Sequence, residues 1–324
     1  MKQRESGLPF DDFRNLVRTL PSANEEAAFH TVAQFSTKHG TQSKVRSLCE
    51  WYSRWSGRSP VVHRPLMTLF CGTHALTNAL DRGANSNWLL ANVTEVAEGA
   101  NVINRLCHQQ EMGLKLFDLA LQIPVEDISI EAALDEKACA GTIAFGMEAI
   151  AGGSDLLAVC AIEDGVNVSN AAILALFCDH MIEPVSDVDQ SEFSNAVSKT
   201  VELAKGHTVN PLEVLRRLGG RETAAICGAI LAARTEHIPT VVGGVTGLAA
   251  LVILKELEPE AISHCVIASR FADPTLDEIC KGLGVPVVMD ASFSEAFGGD
   301  VAIAVGQLKA AFKHFPVADQ ATKS

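Results

Sequence analysis

The chain has 324 residues, 48% hydrophobic and 20% charged, with a formal net charge of −13. At roughly 100–200 residues per domain this length fits one large domain with a small appendage. The acidic balance, with no Lys/Arg cluster to offset it, excludes a nucleic-acid partner that needs a basic face. The apolar runs break before the roughly 18 residues of a membrane span, which predicts no membrane partner. Met1–Gly7 is charged and lacks a hydrophobic signal core, and the nine cysteines are scattered through apolar runs as reduced thiols would be. Both features predict a cytoplasmic protein.

The first 60 residues predict three helices, Phe10–Leu20, Asn24–Thr37 and Ser43–Trp55. Trp51 and Trp55 lie four apart on one helical face and read as core. With a helix around Val301–Phe312 these form a small helical domain, residues 1–60 completed by about 300–324, beside an α/β domain over 61–299. Beyond residue 64, six continuous apolar runs predict strands: Leu66–Cys71, Leu114–Leu119, Leu156–Ile162, Pro239–Gly243, His264–Ser269 and Pro286–Asp290. Their lack of strict alternation suits strands buried on both faces. Between them fall helical stretches at Val96–Glu111, Thr142–Ala151, Asn170–Asp179, Glu192–Gly206, Arg221–Glu236, Thr246–Leu257 and Pro274–Leu283, with Asp179–Gln190 as an exposed loop. The fold expected is α/β, a doubly wound, mostly parallel sheet of about six strands. Helix Arg221–Glu236 presents Ala224, Ala225, Gly228, Ala229, Ala232 and Ala233, a surface with so little bulk that another backbone can approach closely.

Metal chemistry finds no footing: Cys71 and His74, Cys178 and His180, and the adjacent pairs Cys107–His108 and His264–Cys265 do not repeat as zinc spacings. No cofactor is expected. Glycine pairs at Gly152-Gly153, Gly219-Gly220, Gly243-Gly244 (with Gly247) and Gly298-Gly299 sit near element boundaries. The third follows a predicted strand and precedes a helix, the context in which free N–H groups bind an anion, although it is no Walker motif. Glu163, Asp164, Asp273 and Glu295 lie just beyond predicted strands, where open sheets bind ligands; each is a candidate base or a solvated loop carboxylate.

Several segments resemble the CobT family, the nicotinate-nucleotide:dimethylbenzimidazole phosphoribosyltransferases. They are Gly7–Phe13, Ser36–Arg58, Gly113–Leu121, Ala132–Glu136, Ala144–Asp155 and above all Asn210–Ile238. The resemblance implies a parallel α/β domain with a small helical domain, and a homodimer with sites near the subunit interface. It implies a carboxylate base acting on a benzimidazole nitrogen, while the other nitrogen displaces nicotinate from the ribose of nicotinate mononucleotide. It also implies a pocket at Gly72, His74, Arg82, Gly165, Asn167, Gly243, Gly244, Ser269, Asp273, Gly298 and Gly299.

The chemistry-bearing segments depart from the family pattern. Counting without gaps from Asp290, the family's catalytic Glu falls on Phe297, leaving Glu295 and Asp300 as substitutes. The acid of the family's G-E-M-G-I-G-N-T-T becomes Ala161, and Glu163 and Asp164 bring negative charge to a place that should welcome phosphate. Arg82 and Arg270 enter altered loops, to meet an anion or to fill the pocket. Three readings follow: a rebuilt or impaired phosphoribosyltransferase, a non-catalytic paralogue that binds a nucleotide or benzimidazole-like molecule, or a regulatory subunit of a heteromer with a CobT-type paralogue.

Overall fold

The computed structural model describes residues 9–35, 44–80, 84–163, 167–178, 182, 189–292 and 298–313. Three helices, α1 (Phe10–Arg18), α2 (Glu25–Gln34) and α3 (Lys44–Ser56), precede strand β1 (Pro65–Cys71). Helices α4 (Ala75–Leu80), α5 (Ala84–Ala97) and α6 (Val102–Gln109) lead to β2 (Gly113–Asp118), and α7 (Glu136–Met147) leads to β3 (Leu156–Ala161). Four helices follow: α8 (Val168–Cys178), α9 (Gln190–Ala204), α10 (Pro211–Leu218) and α11 (Arg221–Thr235). The chain then alternates through β4 (Thr240–Val242), α12 (Gly244–Leu257), β5 (Cys265–Arg270), α13 (Pro274–Gly282), β6 (Val287–Ser292) and α14 (Gly299–Phe312).

All six strands form one parallel sheet in the order β2-β1-β3-β4-β5-β6. Chain direction across the sheet reverses between β1 and β3, so the crevice outside their C-terminal ends is the topological switch point where such sheets take ligands. Strands β1, β3 and β4 are buried along their whole length. Their side chains alternate between two cores, as the two-residue period of a strand requires. Phe70, Leu157 and Val159 point into a core shared with α7, α10, α11 and α12. Met67, Leu69 and Cys160 point into one shared with α3, α6 and α14.

The small-residue face of α11 meets α7. A Cβ on Gly228 would run into the carbonyl of Ile143, and one on Gly146 into the carbonyl of Ala225. Helix α1 joins the first core through Phe10, Phe13 and Val17, while Tyr52 of α3 meets Phe312 of α14 at 5.0 Å between ring centroids. Gly298 (φ 71°) starts α14 so close to the sheet that a Cβ there would strike the Cys160 sulfur.

Element boundaries differ from the sequence expectation where capping outweighs periodicity. The single helix expected over Val96–Glu111 is two, because Gly99 takes φ 76° and Asn101 caps a new start by accepting from Ile103 N at 3.2 Å. Helix α7 begins before Thr142, because the Asp135 carboxylate accepts from Ala138 N at 2.6 Å. Helix α10, opened by Pro211 in its first turn, has no counterpart in the sequence reading. Among the described residues no helix is long and apolar enough to cross a membrane.

Candidate functional site

The switch point gathers the segment after β1, the segment after β3, and the first turns of α11 and α12. Gly72-Thr73-His74 is held as a bracket: Val125 N donates to Thr73 O at 2.9 Å, Ala75 N to Val125 O at 3.0 Å, and the Thr73 hydroxyl to Leu121 O at 3.0 Å. This fixes His74, which is 7% exposed, with Nε2 2.6 Å from Oε1 of Glu222. Glu222 stands in the first turn of α11, where the helix dipole favours a carboxylate. A Cβ on either Gly72 or Gly220 would collide with that carboxylate. These two glycines therefore make room for the chain's own acid.

Burial works against ionisation of Glu222, but the adjacent His74 outweighs it and holds the carboxyl below its ordinary value. Its second oxygen, Oε2, is buried and has no hydrogen-bond partner among the described residues. One arm of this carboxylate is thus engaged and the other is unmet, at the edge of the pocket.

Glu163 supplies the opposite wall. It follows β3 and reaches across to the start of α12, where Oε1 accepts from Val245 N at 2.6 Å and Oε2 from Thr246 N at 3.1 Å. Oε2 also accepts the Thr246 hydroxyl. Asn170 of α8 donates to that hydroxyl oxygen at 2.8 Å. Burial pushes the Glu163 carboxyl up to about 7, with the Thr246 and Val245 donors pulling the other way. The Gly243-Gly244 turn does lead from a strand into a helix, with Gly244 at φ 74°, and a Cβ there would strike Glu163. An anion occupies the helix N-terminus, and it belongs to the protein.

The space enclosed by His74, Glu222, Glu163, Thr246, Asn167 and their neighbours measures ≈ 30 Å³. That is room for about one water molecule.

The structure brings Gly72, His74 and Asn167 together, with Glu222 and Glu163 as the acids. Asn167 also caps α8, accepting from Asn170 N at 2.8 Å. Gly243, Ser269 and Asp300 assemble one strand further on. The Ser269 hydroxyl donates to Asp300 Oδ2 at 3.1 Å, and both residues are buried. Asp273 joins neither group; its carboxylate caps α13, accepting from Leu276 N at 2.9 Å. Gly298 serves the close approach of α14 to the sheet, and Gly299 is the buried first residue of that helix. Arg270 is spoken for, 3.2 Å from Asp277 and 3.5 Å from Asp290. Arg82, Gly165, Glu295, Phe297 and Asp164 lie outside the described residues. No group of three or more His, Cys, Asp and Glu side chains gathers as a metal site among the described residues.

Sequence reasoning missed Glu222, Thr246 and Asn170. The signal for Glu222 was present as a glycine pair directly before an acid in a helical first turn. An acid at a helix start is so common that spacing alone does not single it out.

A profile described as phosphoribosyltransferase matches residues 17–321 of this chain. A nicotinate-nucleotide–dimethylbenzimidazole phosphoribosyltransferase of Sinorhizobium sp is 40% identical over 316 residues, covering 94% of each chain. One of the same description from Rhizobium leguminosarum bv. trifolii is 41% identical over 316 residues, again covering 94% of both. Among solved structures, CobT from Thermus thermophilus superimposes with a TM-score of 0.77 at 17% identity, over 89% of this chain and 94% of that one.

Proposed function

Because this chain belongs to the nicotinate-nucleotide–dimethylbenzimidazole phosphoribosyltransferase family, we propose that its strand-end pocket, which must open well beyond its present ≈ 30 Å³, takes the ligands for which that family is named. We propose further that phosphoribosyl transfer in this chain is impaired. One observation carries the reading: the Glu163 carboxylate sits on the Val245 and Thr246 amides, the natural seat for a phosphate at a helix N-terminus. A nucleotide phosphate must displace that carboxylate or wait for its protonation. The value of about 7 reached by burial makes protonation accessible near neutral pH.

Transfer also needs a base. As one benzimidazole nitrogen attacks the ribose carbon and nicotinate leaves, the proton on the other nitrogen must go to a carboxylate, and losing that group typically costs about 10²–10⁴ in rate. The family's acid falls on Phe297 by gapless counting, and Asp300 is engaged by Ser269. The protein would then act as a ligand-binding or regulatory member, as a homodimer or with a CobT-type paralogue, in the cytoplasm.

A second reading is favoured by the unmet Oε2 of Glu222. A carboxylate bonded on one side to an imidazole and open on the other is an acid–base pair, and it makes Glu222 a relocated base. The test is nicotinate release from nicotinate mononucleotide with dimethylbenzimidazole, run beside thermal shifts with each ligand alone. Ligand-dependent shifts without turnover support the first reading. Turnover that is lost in Glu222→Gln sinks it in favour of the second. Silence in both assays removes both and leaves a protein partner as the object of search.

A further inference from the structure

At the opposite edge of the sheet, where β5 and β6 begin, a groove of ≈ 760 Å³ opens between the α1–α2 link, α3 and the last turn of α11. Its volume lies in the range of about 300–1,000 Å³ usual for small-molecule sites. Its walls carry charged side chains, most of which have a hydrogen-bond partner within the chain. Arg54 donates to Glu25 at 2.7 Å and to Glu50 at 2.6 Å, and Arg18 donates to Asn15 at 3.3 Å. Glu258 and Glu260 turn onto their own short turn, accepting from Glu260 N at 3.4 Å and from the Ser263 hydroxyl at 2.7 Å.

Arg234 is the exception. It is 4% exposed, and its Nε and Nη1 meet no acceptor among the described residues. Its guanidinium carbon lies 3.9 Å from the Trp55 ring centroid. The ring's quadrupole eases the buried charge, but it offers nothing to the N–H groups in the guanidinium plane. His264 packs against the same indole at 6.3 Å and, pushed down to about 3 by burial, stays neutral and adds no second positive charge. Beside Trp55, the groove-lining Trp51 also holds a buried Nε1 without a partner among the described residues. Both unmet groups are donors. The missing piece is an acceptor.

We propose that this groove binds a planar aromatic monocarboxylate, its carboxylate on Arg234 and Trp51 Nε1 and its ring against the tryptophan wall. A carboxylate matches the planar guanidinium fork better than a spherical anion does. With Arg18, Arg54 and Arg234 against four glutamates in the lining, each negative charge on a ligand meets repulsion, which disfavours a dianion more than a monoanion. The aromatic ring is argued from Trp51, Leu20, Pro21 and Pro286, apolar residues that line the same groove as the donors. This site is independent of the strand-end pocket, and its success or failure leaves that reading untouched.

The test uses the full chain carrying Trp88→Phe, which leaves Trp51 and Trp55 as the only indoles of the three. Benzoate is titrated while tryptophan emission is followed, with cyclohexanecarboxylate and inorganic phosphate as comparators. A saturable change with benzoate is expected, at least about tenfold weaker with phosphate and weakened about tenfold by Arg234→Lys, which keeps the charge but loses the fork. Should Arg234→Lys fail to fold, Trp51→Phe removes the second donor and is expected to weaken binding several-fold, read on Trp55 alone. No saturable response in a folded protein, equal affinity for phosphate, or a response untouched by the substitution would each overturn the proposal.

Discussion

Helix α11 carries a buried acid at one end and a buried base at the other, and the two have opposite fates. Glu222 and Arg234 are separated by about 18 Å of helix axis at 1.5 Å per residue. Each stands at the end of the dipole that favours its sign. Glu222 is bonded to His74 at 2.6 Å beside a space of ≈ 30 Å³. Arg234 stacks on an indole face, with the Glu260 charge near it but no acceptor on its Nε and Nη1 among the described residues, beside a groove of ≈ 760 Å³. The comparison teaches that burial of a charge is no signature of one kind of site. What matters is whether the fold supplies the counter-group, and at the strand-end pocket it supplies two, His74 for Glu222 and the α12 amides for Glu163.

The comparison breaks most visibly at His74. His74→Ala strips Glu222 of its partner and is expected to cost about 3–5 kcal/mol, the usual loss when one member of a buried pair is removed. Urea unfolding with circular dichroism measures it, and a loss below about 1 kcal/mol would mean that Glu222 is sustained by something other than His74. Next comes the seam that holds both ends of α11 in place. Gly228→Ala forces α11 away from the Ile143 carbonyl and is expected to cost about 1–3 kcal/mol in the same assay. An unchanged midpoint would show that the α7–α11 contact is looser than the glycine implies.

Glu163→Ala comes third, with an expected loss of about 0.5–2 kcal/mol as the first turn of α12 gives up its acceptor. The same substitution should uncover phosphate binding, read by calorimetry; no gain in phosphate affinity would undo the view of Glu163 as an internal anion. The pH dependence has a definite sign. The folded carboxyl is raised from 4.5 to about 7, so its contribution to stability is complete below about 4.5 and is lost as pH rises through about 7. Glu163→Gln is expected to flatten stability across that window, and a persisting slope would assign it to another group. The smallest effect belongs to Arg234→Met. Loss of the indole contact is offset by relief of an unpartnered buried charge, leaving a net change within about 1 kcal/mol. A loss matching that of His74→Ala would show that Arg234 is as well partnered as Glu222.

Much of the scaffold was readable from local pattern. Continuous apolar runs mark β1 and β3 because both faces of those strands are covered, and the residues that face each core alternate within them. The small-residue face of α11 announced a close backbone contact, although not that α7 would make it. The break between α5 and α6 was missed because a glycine turn and an asparagine cap override a continuous helical period. The residues gathered at the strand-end pocket were legible only in part. His74, Gly72 and Asn167 came from motif resemblance. Asp273 was a candidate by its place after a strand and proved to be a helix cap, since the same side chain serves both purposes at the same spacing.

Composition and apolar periodicity by themselves determined the fold class and the parallel sheet. These depend on interactions over a few residues, which the order of side chains records directly. Only the tertiary structure decided that Glu222, 148 residues from His74, would be its partner. It alone decided that Glu163, 82 residues before Val245, would accept from the first-turn amides of α12. Such pairings arise from the crossing of distant segments at a sheet edge, and no local spacing in the chain encodes which of its many acids will arrive there.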